Sequence, residues 1–352
     1  MSSAPCRDPL TAPFNSSSIW YQPLGSSAIY SPARLFVNVT PQQGVFSDDD
    51  WFITTHQNDP VIPWYSQGHW NSTPNCLQFP WAPFVQSIHW PENYTIVQSG
   101  NNALALLQPD GDSLIFTQPA YRCSTSSPLL SLHDVYRGTG SIRGAGNWGG
   151  HGGSGLNAIG GTLRLGELTK SSPLPGPQHV LKLQLWAKPY YYGVKAGANW
   201  STCFRWPALQ CDGYADDPSL YGGDDPLLTP GALLAINPSH LPVILKTLNS
   251  VPAKQLAWTL TYFGGLLCDD TYEDRMTFNT EHGFTSQFEQ EWGFPFSTWE
   301  GDNRPGAKVW LEDVLTLFRA LEVVANNNED TPGGGGDTLT PHPPPLCPQT
   351  PF

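Results

Sequence analysis

The chain has 352 residues, of which 13% are charged and 12% aromatic, with 35 prolines, 34 glycines and a formal net charge of −13. The acidic balance argues against nucleic acid and anionic membrane surfaces as partners, because both require a basic face. Few charges among many aromatics and turn-formers predict a loop-rich, mainly β chain, and no apolar run approaches the roughly 18 residues of a membrane span.

In chain order, residues 1–30 are Pro/Ser-rich with isolated Trp20, Tyr21 and Tyr30, which predicts an extended arm lying on a surface. Residues 35–40 (LFVNVT) predict the first strand. Between Trp51 and Trp90 short β-like pieces alternate with proline turns. Residues 103–108 and 113–118 flank Pro109-Asp110-Gly111-Asp112, a hairpin signal. From Gly138 to Gly161 eleven of 24 residues are glycine. Such a run persists where chain must bend at positive φ or pass close to something, so a packed irregular loop leading into the central sheet is expected. Residues 162–168 then predict a strand, and residues 180–186 (VLKLQLW) alternate apolar and polar as a half-buried strand does.

Residues 231–236 predict a buried strand, and residues 253–263 a helix that Gly264-Gly265 would stop. Residues 266–270 read as a short buried strand, and helical spacing recurs over 276–292 and 309–324. The body is expected to end near Asn328. Gly333–Gly336 then forms a hinge into a proline-rich tail whose composition favours polyproline II. The whole predicts a β-sandwich or jelly-roll-like fold with a few packed helices. One domain, 31–330, lies between an arm at 1–30 and an arm at 331–352, and the last arm is expected to dock on another copy of the chain.

Seven cysteines fit an oxidising compartment. Cys203 and Cys211 bracket a short loop and are the expected local bridge. Cys76 with Cys123, and Cys6 with Cys347, are candidate pairs, leaving Cys268 as a buried free thiol. N-x-S/T triplets at Asn15, Asn38, Asn71, Asn93 and Asn199 point to glycosylation of a mature secreted chain. Gly144–Gly149 matches GxGxxG but lacks the strand before and the helix after that nucleotide binding needs. Ser154 lies in Gly-Gly-Ser-Gly, where Leu156 breaks the nucleophile elbow. No histidine spacing suggests a metal, and no cofactor is expected. Acids among the turns at 216–225 offer at most a weak structural calcium site.

His151, flanked by glycines, is the histidine freest to act. Tyr190, Tyr191, Tyr192, Arg205 and Asp212 supply the residue types of a sugar-binding cleft, and Asp212, Glu167, Asp269 or Asp270 are candidates for the two carboxylates a glycosidase needs, if the strands bearing them are neighbours. Two functions follow. The first is a secreted structural glycoprotein joined into a filament through its arms, with other copies of itself and glycans as partners. The alternative is a polysaccharide lyase, glycosidase or lectin with a groove near His151 and Tyr190–Tyr192. The run GGHGGSGLNAIGGTLRLGEL, followed by HVLKLQLWA, RWPALQCDGYA and GALLAI, resembles an uncharacterised group of predicted secreted microbial proteins over about residues 150–330. The resemblance implies a shared fold and carries no activity with it.

Overall fold

The structure, a computed structural model, describes residues 5–67, 82–97, 100–132 and 138–348. Its strands are β1 (Tyr30–Pro32), β2 (Val45–Thr54), β3 (Val61–Ser66), β4 (Phe84–His89), β5 (Ala103–Leu107), β6 (Ser113–Thr117), β7 (Leu129–Ser131), β8 (Gly138–Ser141), β9 (Leu181–Leu185), β10 (Leu233–Ile236), β11 (Gly265–Asp270), β12 (Met276–Glu281) and β13 (Leu321–Val324). The α-helices are α1 (Ala187–Tyr190), α2 (Leu241–Thr247), α3 (Val251–Tyr262), α4 (Phe284–Trp292) and α5 (Ala307–Arg319). The fold is thus mainly β with a few packed helices, as its turn-rich composition predicts.

Ten strands form one mixed sheet in the order β1-β13-β10-β11-β9-β12-β2-β5-β6-β8, and β4-β3-β7 form a second, smaller one. Parallel pairs (β11/β9, β12/β2, β2/β5) lie at the centre of the large sheet. Central parallel strands are ordinarily buried on both faces, and here each face has its own cover. On one face Leu181, Leu183, Leu185, Leu234, Ile236, Leu267 and Phe278 pack on α2, α3 and α5. Farther along that face Trp51, Ile53, Leu104 and Leu106 meet Ile62, Trp64, Ile88 and Leu129 of the small sheet, a sandwich-like contact. On the opposite face Leu233, Ala235, Leu266, Ala103 and Ala105 pack under the N-terminal segment and the glycine run.

Several local expectations change in the fold. Residues 35–40 make a turn rather than a strand, with Phe36 and Asn38 at positive φ and Val37 and Val39 exposed. Residues 162–168 pair only through a bridge at Leu163. The stretch 276–292 divides into β12 and α4 around Gly283, whose φ of 92° ends the strand's direction and starts the helix. The N-terminal arm is no surface strap: Phe14, Trp20, Tyr21 and Leu24 are core. Nor does the C-terminal arm leave the body. Leu339 N donates to Leu24 O, Arg7 N donates to Pro345 O, and Cys6 and Cys347 are disulfide-bonded. Chain with few free donors and little entropy to lose has lain along its own N-terminus.

Candidate functional site

In β9 the apolar residues Leu181, Leu183 and Leu185 face the helices, which sends Lys182 and Gln184 to the opposite face. The neighbours in the sheet present polar groups to that same face: Asp48 and Asp50 from β2, and Asn279 from β12, which pairs with Asp48 in register. A register shift between Leu267 and Asp269 inserts Cys268 as an extra residue. A bulge re-aims the side chain beyond it, and Asp269 joins the group. In place of water, the glycine run covers this polar face. Gly153, at φ 66°, lies where a Cβ would run into Asp269 Oδ1, so only glycine permits the close approach.

Inside the cover the groups form one hydrogen-bonded network. Lys182 Nζ lies 2.7 Å from Asp50 Oδ2 and donates to Asn157 O (3.1 Å) and Ala158 O (2.7 Å), which pins the glycine run to the sheet. Thr162 Oγ1 also donates to Asp50 Oδ2, at 2.5 Å. Burial outweighs the pull of Lys182 and pushes the Asp50 carboxyl up to about 7. Gln184 Nε2 donates to Asp48 Oδ2 (2.6 Å) and to Asn279 Oδ1 (3.0 Å). Asn101 Nδ2 donates to Asp48 Oδ2 at 2.9 Å and to Asp269 Oδ2 at 3.2 Å, so one amide straddles two carboxyls.

His151 is fully buried here. Asn279 Nδ2 donates to its Nε2 at 2.9 Å, which assigns the proton to Nδ1, 3.5 Å from Asp269 Oδ2. Burial, and then Lys182, hold its pKa well below the ordinary range, so the ring is neutral. The residue positions carboxyls; it does not reach solvent.

The two straddled carboxyls differ in environment. Asp48 rises through burial but is opposed by its amide donors, Gln184 first, and then by the Lys182 charge. Asp269 is driven well above the carboxylate range by burial and by the nearby acids Asp212, Asp48 and Asp270. The rim of each carboxyl still reaches solvent, with 11% and 9% of the two side chains exposed.

Asp212 arrives beside them on the loop closed by Cys203–Cys211, whose Leu209 N donates to Ser154 O of the glycine run. Tyr221 OH donates to Asp212 Oδ2, and burial pushes the Asp212 carboxyl up to about 7. Tyr214 OH donates to Asp270 Oδ2 at 3.1 Å, and Tyr191 OH to Asp269 O at 2.7 Å. The expected convergence of Asp212, Asp269 and Asp270 is therefore present. Glu167 is elsewhere, bound to His179 at 3.1 Å and to Arg164 N.

The other expected site residues have structural places. Tyr190 OH accepts from Phe36 N, and Tyr192 lies under Lys195. Arg205 donates to the carbonyls of Ala325 and Asn327. His151 and Tyr190 thus do not line one groove. Asp217 and Asp225 accept from backbone amides two residues on, as turn caps, and among the described residues no group of three or more His, Cys, Asp or Glu is arranged to hold a metal ion. Cys268 is free and buried, and Cys123 is disulfide-bonded, while Cys76 lies outside the described residues. Of the glycosylation triplets, Asn38, Asn93 and Asn199 are exposed, Asn15 is half-buried, and Asn71 lies outside the described residues.

Sequence reading passed over Asp48, Asn101, Lys182 and Asn279. One signal was available: the run Ser-Asp-Asp-Asp at 47–50 sits inside a strand, where acids are depleted. Comparison with protein-family models, with curated proteins and with solved structures gave no match.

Proposed function

We propose that the protein is a secreted glycoside hydrolase that works with Asp269 as acid and Asp48 as carboxylate. The reading is carried by one observation: two carboxyls in contrasting environments held by a single amide, that of Asn101. Their bonded oxygens lie at most about 6 Å apart, the scale on which two carboxyls flank a glycosidic bond. Both carboxyls are raised by burial, Asp269 further than the amide-bonded Asp48, and unequal environments of this kind divide a pair into acid and carboxylate. In the reaction Asp269 gives its proton to the leaving glycosidic oxygen as the C–O bond breaks. At that separation Asp48 attacks the anomeric carbon as the bond breaks and forms a glycosyl ester, and Asp269, left ionised, takes the proton of the water that then displaces Asp48 from the sugar. Asn101, Gln184 and neutral His151 hold the two groups in place.

Secretion and N-glycosylation at the exposed triplets belong to this proposal and fit the disulfides. In this chain the C-terminal arm is engaged with its own N-terminal segment, so a filament of such chains would be joined through other surfaces. The reading is tested by release of reducing ends from a panel of polysaccharides. Asp269→Asn and Asp48→Asn should each lower kcat about 10²–10⁴-fold, with circular dichroism unchanged. Turnover that survives either substitution would refute the assignment.

A further inference from the structure

Beside the carboxyls, one side chain is placed at a cost on two counts. Tyr272 has φ 56°, in the left-handed region, where a bulky residue is strained. It is also 64% exposed, so its ring gains little burial in return. Its backbone N–H donates to Asp270 Oδ1 at 2.8 Å, which holds the turn in that shape.

The ring is the outermost of a connected series. Tyr272 meets Tyr214 edge-on at 6.3 Å, Tyr214 meets Tyr221 at 5.8 Å, and Tyr221 meets Tyr191 at 5.7 Å. The inner three end their hydroxyls on the acidic segment: Tyr214 on Asp270, Tyr221 on Asp212 and Tyr191 on the carbonyl of Asp269. The series runs from solvent to the backbone of the proposed acid, and Tyr272 is its exposed end. Strain of this kind persists where surrounding structure enforces it and is concentrated at ligand sites.

The charge around it narrows the ligand. Asp212, Asp269, Asp270 and Asp48 cluster here, Lys182 is engaged by Asp50, and Arg275 pairs with Glu273 at 3.0 Å. An acidic sugar would meet repulsion from Asp48, the carboxylate of the proposed pair, and its guanidinium partner is already taken, because Arg275 is held by Glu273 and Thr271 O. We infer that Tyr272 is the stacking platform of a binding subsite for glycans that carry no carboxylate or sulfate, such as glucose or N-acetylglucosamine polymers. This rests on the hydrolase reading for the location of the cleavage site and not for binding itself.

The test is equilibrium binding of three hexasaccharides, of glucose, of N-acetylglucosamine and of galacturonate, to the Asp269→Asn variant by calorimetry. At least one neutral hexasaccharide should bind, tenfold or more tighter than the galacturonate one. Adding Tyr272→Ala should weaken that binding at least tenfold, and Tyr272→Trp should keep it. Tyr272→Gly, which relieves the strain, should unfold at the same or a higher temperature while losing binding, and so separates a binding role from a folding one. Binding indifferent to Tyr272, a preference for the galacturonate, or no binding of any of the three overturns the inference. Tyr272-dependent binding of a neutral glycan that the unmutated protein fails to cleave leaves the platform standing and removes the hydrolase reading.

Discussion

Lys182 shows what a single buried charge does in this molecule. All of its donors are used, on Asp50 and on the carbonyls of Asn157 and Ala158. Removing one partner of a buried pair leaves the other charge unpaired, at a cost of about 3–5 kcal/mol. Lys182→Met should therefore lose about that much stability in urea titration at pH 8. Much of it should return in Lys182→Met/Asp50→Asn, where no bare carboxylate remains. A single variant as stable as the parent at pH 8 would show that Asp50 needs no counter-charge. The alternation of VLKLQLW was legible as a strand, and its apolar half was legible as core. What sequence could not tell is that the polar half faces a covering loop rather than water, since both covers leave the same period of two.

At the scale of elements, the glycine run is the cover of a polar sheet face. Its glycines are set by what they touch: Trp20 lies on Gly160 and Gly161, Phe14 on Gly146, and Asp269 on Gly153. Gly153→Ala would place a methyl group against the Asp269 carboxyl at a positive φ, costing about 1–2 kcal/mol in backbone strain alone. Because the carboxyl has to shift, the loss in kcat for any glycan that the protein cleaves should exceed what the lost stability explains. Thermal melting and initial rates on one preparation check this, and a destabilised variant with full kcat would separate the cover from the site. The strand–helix division at Gly283 was hidden for a related reason. Phe278, Phe284 and Phe288 all join one core, so apolar spacing continued across the break.

For the whole molecule the buried acids set the pH dependence of stability. A carboxyl whose folded pKa lies above its unfolded value keeps a proton that the unfolded chain has released. Between the two values stability falls as pH rises. Asp50 and Asp212, both pushed up to about 7, place that window between about pH 4 and pH 7. Raised Asp48 and Asp269 act in the same direction. His179 also agrees: its pKa is raised by Glu167 in spite of burial, so its stabilisation is present at low pH and fades as pH passes the folded value. Two groups oppose. His151 resists protonation and costs stability below its ordinary pKa of about 6.5, and Asp302, held near about 2 by Arg304, loses stabilisation only below about pH 4. Of the opposing groups only His151 acts above pH 5, so melting temperature should be higher at pH 5 than at pH 8. A melting temperature that climbs steadily from pH 5 to pH 8 would contradict the burial of these acids as described.

The amino-acid sequence by itself determined the mainly β class, the hairpin of β5 and β6 around Pro109–Asp112, the helix before Gly264 and the local bridge of Cys203 with Cys211. Each of these is decided by residues close in the chain, through turn chemistry, period and short loop closure. Tertiary structure alone decided the rest. Asp48 and Asp269 stand more than two hundred positions apart and meet because β2, β12, β9 and β11 are neighbours in one sheet, and the bulge at Cys268 aims the second of them inward. The same holds for the arms: their composition was readable as extended chain, but their burial against each other depends on β1 and β13 being paired at one edge of the sheet, which brings the two arms together. Strand order is a long-range choice made by packing, and no local signal in the chain encodes it.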